Sequence, residues 1–297
     1  MLDSLNYNTE IFFFVDELLK TLEKTTIWKK LPKWNPYIKG RKKRLSLSEV
    51  VTLNIIAVLG HFADLKAFHR NAKLYLLKDF PKLTNYENYL KATNQSLPFL
   101  TIILRLLLNI GKYYSKNSIK YVDSTPLQVC KNKRIKRNKV CKNFAARGKT
   151  TIGWFYGFKL HGVCDSNGTL LSITFTPGNI DDRQVLNTLF EGMEGLFVGD
   201  AGYLLKNDVW EAFLKKNIHL FTGVRNNMKK MMTKEQHKEL KKREIIETVW
   251  SVLKGNLSIV YTLARSITGM FRHFFYSIIA YFFRYMDNGQ ILIGAKS

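Results

Sequence analysis

Cysteine is scarce in this chain: Cys130, Cys141 and Cys164 are the only three in 297 residues. An odd, sparse set excludes a disulfide-stapled secreted scaffold and fits reduced thiols. With His161 they give Cys-x10-Cys and His-x2-Cys, a spacing that matches no usual zinc site. Long apolar runs are missing too. Residues 97–108 are interrupted by Arg105, and residues 269–286 by Arg272, His273 and Arg284, so neither reaches the roughly 18 to 20 apolar residues of a membrane span. Asp3, Glu10, Asp16 and Glu17 stand where a signal peptide carries a basic start and a clean apolar core. The expectation is a cytoplasmic protein with no membrane partner.

Acid is also in short supply. Against 47 Lys and Arg there are 23 Asp and Glu, a formal charge of +24 that repels itself unless a polyanion shares the surface. Nucleic acid is the leading candidate. The shortage is sharpest after Asp123, because no Asp or Glu follows until Asp165. In that gap Lys131, Lys133, Arg134, Lys136, Arg137, Lys139, Lys142, Arg147 and Lys149 make nine cations in nineteen residues. Such a stretch cannot pack as a core, so an exposed loop at 131–149 is expected to lie along a phosphate backbone. A second basic run, Arg41-Lys42-Lys43-Arg44, is either a solvated turn or a phosphate clamp.

What the chain does have is a hydrophobic fraction of 46%, enough for a large core, and a length that suits about two domains. Ile11, Phe14, Val15, Leu18, Leu19 and Leu22 recur at three-and-four spacing, which predicts an amphipathic helix over 9–22. Ser46-Leu47-Ser48-Glu49 reads as a capping box opening a helix over 47–59 that Gly60 closes. Further helical stretches over 65–77, 86–92 and 97–113 complete a helical unit at 1–115, a candidate DNA-binding domain of helix-turn-helix type.

Strand signals begin at Ile119. The run Ile119-Lys120-Tyr121-Val122-Asp123 stops at an acid followed by Ser124 and Thr125. Asp123 there is either a turn cap or a ligand for a hard divalent cation. Residues 151–165 and 169–176 read as a hairpin turning at Asp165-Ser166-Asn167-Gly168. Asp181 and Asp182 read as caps of the helix that carries Val185, Leu186, Leu189 and Phe190. Gly195-Leu196-Phe197-Val198-Gly199-Asp200 is a short buried strand with a second acid at its carboxyl end, where ligands bind in such sheets. A helix over 239–254 buries Ile245, Ile246, Val249, Trp250 and Leu253, with Arg243, Glu247 and Lys254 along one flank. That flank is either salt-bridged surface or part of a site.

The order is strand, strand, strand, helix, strand, helix, strand, helix. It predicts a ribonuclease H-like core over 116–285, a mixed five-stranded sheet flanked by helices, with a tail at 286–297. Two strand-end acids and one helix acid could then converge on a pair of metal ions.

The segments Tyr121-Val122-Asp123-Ser124-Thr125, Gly153-Trp154-Phe155-Tyr156-Gly157-Phe158-Lys159-Leu160-His161, Thr176-Pro177-Gly178-Asn179-Ile180-Asp181-Asp182-Arg183 and Gly199-Asp200-Ala201-Gly202-Tyr203 resemble the bacterial insertion-sequence DDE transposases, most closely the insertion-sequence 982 family. Arg243-x3-Glu247-x6-Lys254 resembles the signature around the last acid of that group, with Leu240 where a Tyr usually opens it. Arg265-Ser266-x2-Gly269 with His273 resembles the family's tail. The resemblance implies that Asp123, Asp200 and Glu247 are catalytic and bind two Mg²⁺, with Mn²⁺ able to substitute. It implies that Arg243 and Lys254 hold phosphates, that the partners are double-stranded DNA (terminal inverted repeats and target), and that a homodimer forms on DNA at the bacterial nucleoid. Two other readings remain open: a DNA-binding protein derived from a transposase without catalysis, and a nuclease of the same fold that cuts without joining.

Overall fold

The computed structural model describes residues 4–34, 45–62, 64–223, 233–260 and 264–284. Arg41, Lys42, Lys43 and Arg44 therefore lie outside the described residues, as does the 286–297 tail. The described residues divide into two compact units, one from those up to 107 together with those of 253–284, the other from those of 108–252.

The first unit is helical. It holds α1 (Ser4–Glu23), the single turn α2 (Thr26–Lys29), α3 (Leu47–Leu59), α4 (Leu65–Tyr75), α5 (Tyr86–Gln95) and most of α6 (Leu97–Tyr114). The predicted capping box is present: Glu49 N–H donates to Ser46 Oγ at 3.1 Å, and Ser46 N–H donates to Glu49 Oε2 at 2.6 Å. α3 is buried nearly all round, which is why its sequence is apolar on every face. Val50, Leu53, Phe68, Phe80, Leu83 and Tyr89 form a core around it, each such burial contributing about 1.5–3 kcal/mol. Its polar Ser48 donates to Asp16 of α1 at 2.7 Å, and this bond holds the Asp16 carboxyl below its usual range. Despite Arg105, α6 is by length and composition the one helix among the described residues that could cross a membrane. Its Phe99, Leu100, Ile103, Leu104 and Leu107 are buried.

The second unit is built on a sheet. Its strands are β1 (Lys120–Cys130), β2 (Ala146–Thr150), β3 (Gly153–Asp165), β4 (Leu170–Pro177), β5 (Gly195–Gly199) and β6 (Ile218–Thr222). The order is β2-β3-β1-β5-β6, with β4 pairing with β3 further along it. β1 is antiparallel to β3 and parallel to β5, which is parallel to β6. Setting β2 aside leaves β4-β3-β1-β5-β6, a curled mixed sheet compatible with a ribonuclease H-like core. The sheet thus has six strands where five were expected, because the basic tract contributes one. Between β4 and β5 a 3-10 turn at 182–185 leads into α7 (Leu186–Leu189), and α8 (Asn207–Leu214) links β5 to β6. Val122, Val163, Leu171, Leu186, Phe190, Phe197 and Phe213 form the core beneath the sheet.

The helix expected over 239–254 is broken. α9 (Lys234–Lys242) stops before Arg243, α10 (Glu244–Ser251) follows, and a π turn spans Val252–Asn256. A π turn changes the residues per turn, so the spacing from Glu247 to Lys254 no longer fixes a shared face. The final helix, α11 (Ile267–Arg284), belongs to the first unit.

Candidate active site

Asp123 and Asp200 are brought together by strand register. Tyr121 pairs with Val198 across the parallel β1–β5 ladder, and each acid lies two residues further along its own chain. Adjacent strands run about 4.8 Å apart, so the carboxylates leave the sheet as neighbours. Asp123 is mostly buried, and burial pushes its carboxyl up to about 6, with the nearby Asp200 charge adding to the push. Arg243 and the hydrogen bonds from Ser124 and Trp250 act in the opposite sense. Asp200 is exposed, and its Oδ1 accepts from Gly202 N–H at 2.8 Å as the chain turns out of β5.

Glu247 arrives on α10, which packs against β1. Arg243 joins the acids: its guanidinium donates to Glu247 Oε1 at 2.8 Å and stands 3.7 Å from Asp123 Oδ1. One cationic group therefore sits between two of the three expected acids. All three offer hard carboxylate oxygens, the donor type that suits Mg²⁺ and Mn²⁺. Among the described residues no three His, Cys, Asp or Glu side chains stand close enough to enclose an ion. The Arg243 guanidinium stands between Asp123 and Glu247, in the place between the two carboxylates where a cation would sit.

Trp250 was legible only as a core residue, yet its indole N–H donates to Asp123 Oδ2 at 3.1 Å. Gly162 makes this possible. It pairs with Asp123 across the β1–β3 ladder, and a Cβ there would fall 2.6 Å from the Trp250 ring. Gly162→Ala is expected to displace the indole and lower stability by about 1–3 kcal/mol, as overpacking does. Thermal melting checks the loss, and a red-shifted tryptophan emission checks its cause.

Asp181 caps the 3-10 turn, accepting from Arg183 N–H at 2.9 Å, and forms a surface pair with the Arg183 guanidinium. Asp182, expected as a cap, instead accepts from Lys159 Nζ at 2.8 Å and lies 3.6 Å from His161 Nδ1. His161 is fully buried on β3, and burial lowers its pKa to about 4. It is therefore neutral at ordinary pH, bonded through Nε2 to Thr176 Oγ1 at 2.7 Å. The Asp182 carboxylate is thus turned into the sheet to meet Lys159, a pairing that the adjacent Asp181 obscured in the sequence.

The basic tract is more ordered than a loop. Lys131 precedes a 3-10 turn over Asn132–Arg137, and Arg147 and Lys149 belong to strand β2. Asn132 Nδ2 donates to Trp154 O at 2.7 Å and Cys141 is buried, so the tract is pinned at several points. Its cations Lys131, Lys133, Arg134, Lys136, Arg137, Lys139, Lys142, Arg147 and Lys149 are all exposed. Arg147 and Lys149 lie over the exposed Trp154 ring at 5.5 and 5.9 Å.

The family model described as "Transposase DDE domain" matches residues 114–267, more than half of the chain and all of the sheet. The chain belongs to the DDE transposase family. No curated protein matches it. For this DDE transposase the family match supports a nuclease or transposase enzyme with DNA as substrate, in a family that generally uses divalent metal ions.

Proposed function

We propose that this transposase is the product of a bacterial insertion sequence of the 982 group, and that Asp123, Asp200 and Glu247 form its catalytic set. The observation that carries this reading is the register match that sets Asp123 on β1 beside Asp200 at the end of β5, with Arg243 bridging Asp123 to Glu247. Asp123, Asp200 and Glu247 are the residues that would hold divalent ions, which would supply Lewis-acid stabilisation of the phosphoryl oxygens and activation of the attacking oxygen. Water cleaves the phosphodiester at each element end and frees a 3′-hydroxyl. That hydroxyl then attacks a target phosphodiester in line, forming one P–O bond as another breaks.

The protein's own groups orient these steps. Trp250 and Ser124 fix the Asp123 carboxylate, and Arg243 keeps a positive charge where phosphate approaches. Arg243 and Lys254 hold phosphates near the scissile bond, and the helical unit at 1–115 reads the terminal inverted repeats. A homodimer pairs the two ends at the nucleoid in the cytoplasm. Incubating purified protein with element-end DNA, target DNA and Mg²⁺ tests the function: joined products support a transposase, whereas cut ends without joining support the nuclease.

The 131–149 tract contributes phosphate contacts in the same picture. Replacing Lys133, Arg134, Lys136 and Arg137 by Gln is expected to weaken binding to all duplexes alike and to flatten the plot of log affinity against log salt by up to roughly 4 units, near 0.9 per lost contact. Fluorescence anisotropy over a salt series measures the slope.

A further inference from the structure

Within the helical unit lies a cavity of about 520 Å³, lined by α3, α4, α5, α11 and the segments before α11. Its wall is cationic: Lys66, Arg265 and Arg272 face it together with His61 and His273, against the single acid Asp64. Asp64 is already engaged as the α4 cap, accepting from Ala67 N–H at 2.7 Å. Arg272 is the central case. Burial lowers its pKa, yet a guanidinium stays charged. It donates to Asn94 Oδ1 at 2.5 Å, and among the described residues no carboxylate pairs with it. A guanidinium has five N–H donors, and removing its charge from water without a counter-anion is costly. His273 is held by Ser258 O at 3.0 Å and kept below its usual pKa by burial, so it leaves Arg272 as the inner positive charge.

The remaining wall combines the aromatic and amide side chains Phe62, Tyr86, Tyr276, Asn54 and Asn94 with aliphatic ones such as Val58, Leu65, Leu90 and Leu257. A cavity of this size exceeds the needs of a bare phosphate and falls in the range of small-ligand sites. We propose that this cavity binds one nucleoside monophosphate unit, its phosphate on Arg272 and Arg265 and its base among the aromatic side chains. The unit is either a free nucleotide or a single unpaired nucleotide of bound DNA. Only the second source rests on the transposase reading.

The test is calorimetric titration of the full chain with deoxyadenosine 5′-monophosphate, with deoxyadenosine, and with a hairpin DNA carrying or lacking one unpaired adenine. It requires neither metal nor cleavage, so its outcome is independent of the catalytic assay. Saturable binding of the monophosphate but not the nucleoside is expected, weakened roughly tenfold or more in Arg272→Gln and in Arg265→Gln, as loss of a charged hydrogen bond implies. Arg265 is exposed, so its variant keeps the test sound if Arg272→Gln unfolds. A preference for the unpaired hairpin that Arg265→Gln abolishes assigns the nucleotide to DNA; monophosphate binding without that preference assigns it to the free pool. Equal binding by wild type and Arg265→Gln, or no binding of either the monophosphate or the unpaired hairpin, overturns the proposal.

Discussion

Asp200→Ala is expected to abolish joining of element ends to target DNA, while Asp181→Ala joins at close to the wild-type rate. The two acids make a controlled pair, since both accept a backbone N–H at the start of a 3-10 turn. Loss of that local bond costs each about 1 kcal/mol of cap stability. What differs is position. Asp200 leaves β5 beside Asp123, whereas Asp181 faces Arg183 at the surface. Removing a group that stabilises charge only in the transition state lowers turnover by a factor of about a thousand. The same gel that follows joined products scores both variants, and melting curves confirm that both remain folded. Equal activity of the two would remove Asp200 from the catalytic set.

The second large effect concerns stability. Asp123 has a folded pKa of about 6 against an ordinary value of 3.8, so the folded state holds a proton that the unfolded chain releases between those values. An acid raised on folding destabilises the native state as pH climbs through that window, and the full penalty is present above about pH 6. Roughly two pH units correspond to about 3 kcal/mol. Asp123→Asn keeps an oxygen for Trp250 and carries no charge to bury. At pH 7 without metal the variant should be more stable than wild type by about 2–3 kcal/mol, and the gap should close below pH 4. Denaturant midpoints at the two pH values give the comparison. Added Mg²⁺ should stabilise wild type more than the variant, because only the native wild type offers the ion a charged Asp123 carboxylate. A variant less stable than wild type at pH 7 would show that the Arg243 attraction outweighs burial.

These two predictions rest on features of unequal visibility in the sequence. Asp200 was legible as a strand-end acid because the apolar run Phe197-Val198-Gly199 stops there, at the end of β5. Asp123 was legible as an acid on a strand, but the expected stop at Asp123 is wrong, since Ser124, Thr125 and Pro126 go on pairing with β3 and β1 runs to Cys130. The capping box at Ser46 was legible because its chemistry is local. The Trp250 bond to Asp123 was not, since the partners lie 127 residues apart and an indole on an apolar stripe reads as core. Strand β2 was hidden because its alternation is carried by Arg147 and Lys149, cations that read as solvated loop. The nucleotide-sized cavity was hidden for a related reason: its wall is assembled from residues as distant as Asn54 and Tyr276, and no local pattern announces that meeting.

Strand β2 also bears on how the protein behaves before it meets DNA. A strand at a sheet margin exposes backbone donors and acceptors that another copy's strand could pair with, the usual route to aggregation. Here that margin is five residues long and carries Arg147 and Lys149, so two copies approaching edge to edge would bring cation against cation. The same two cations proposed to meet phosphate would thereby keep copies of the protein from pairing edge to edge while no DNA is present.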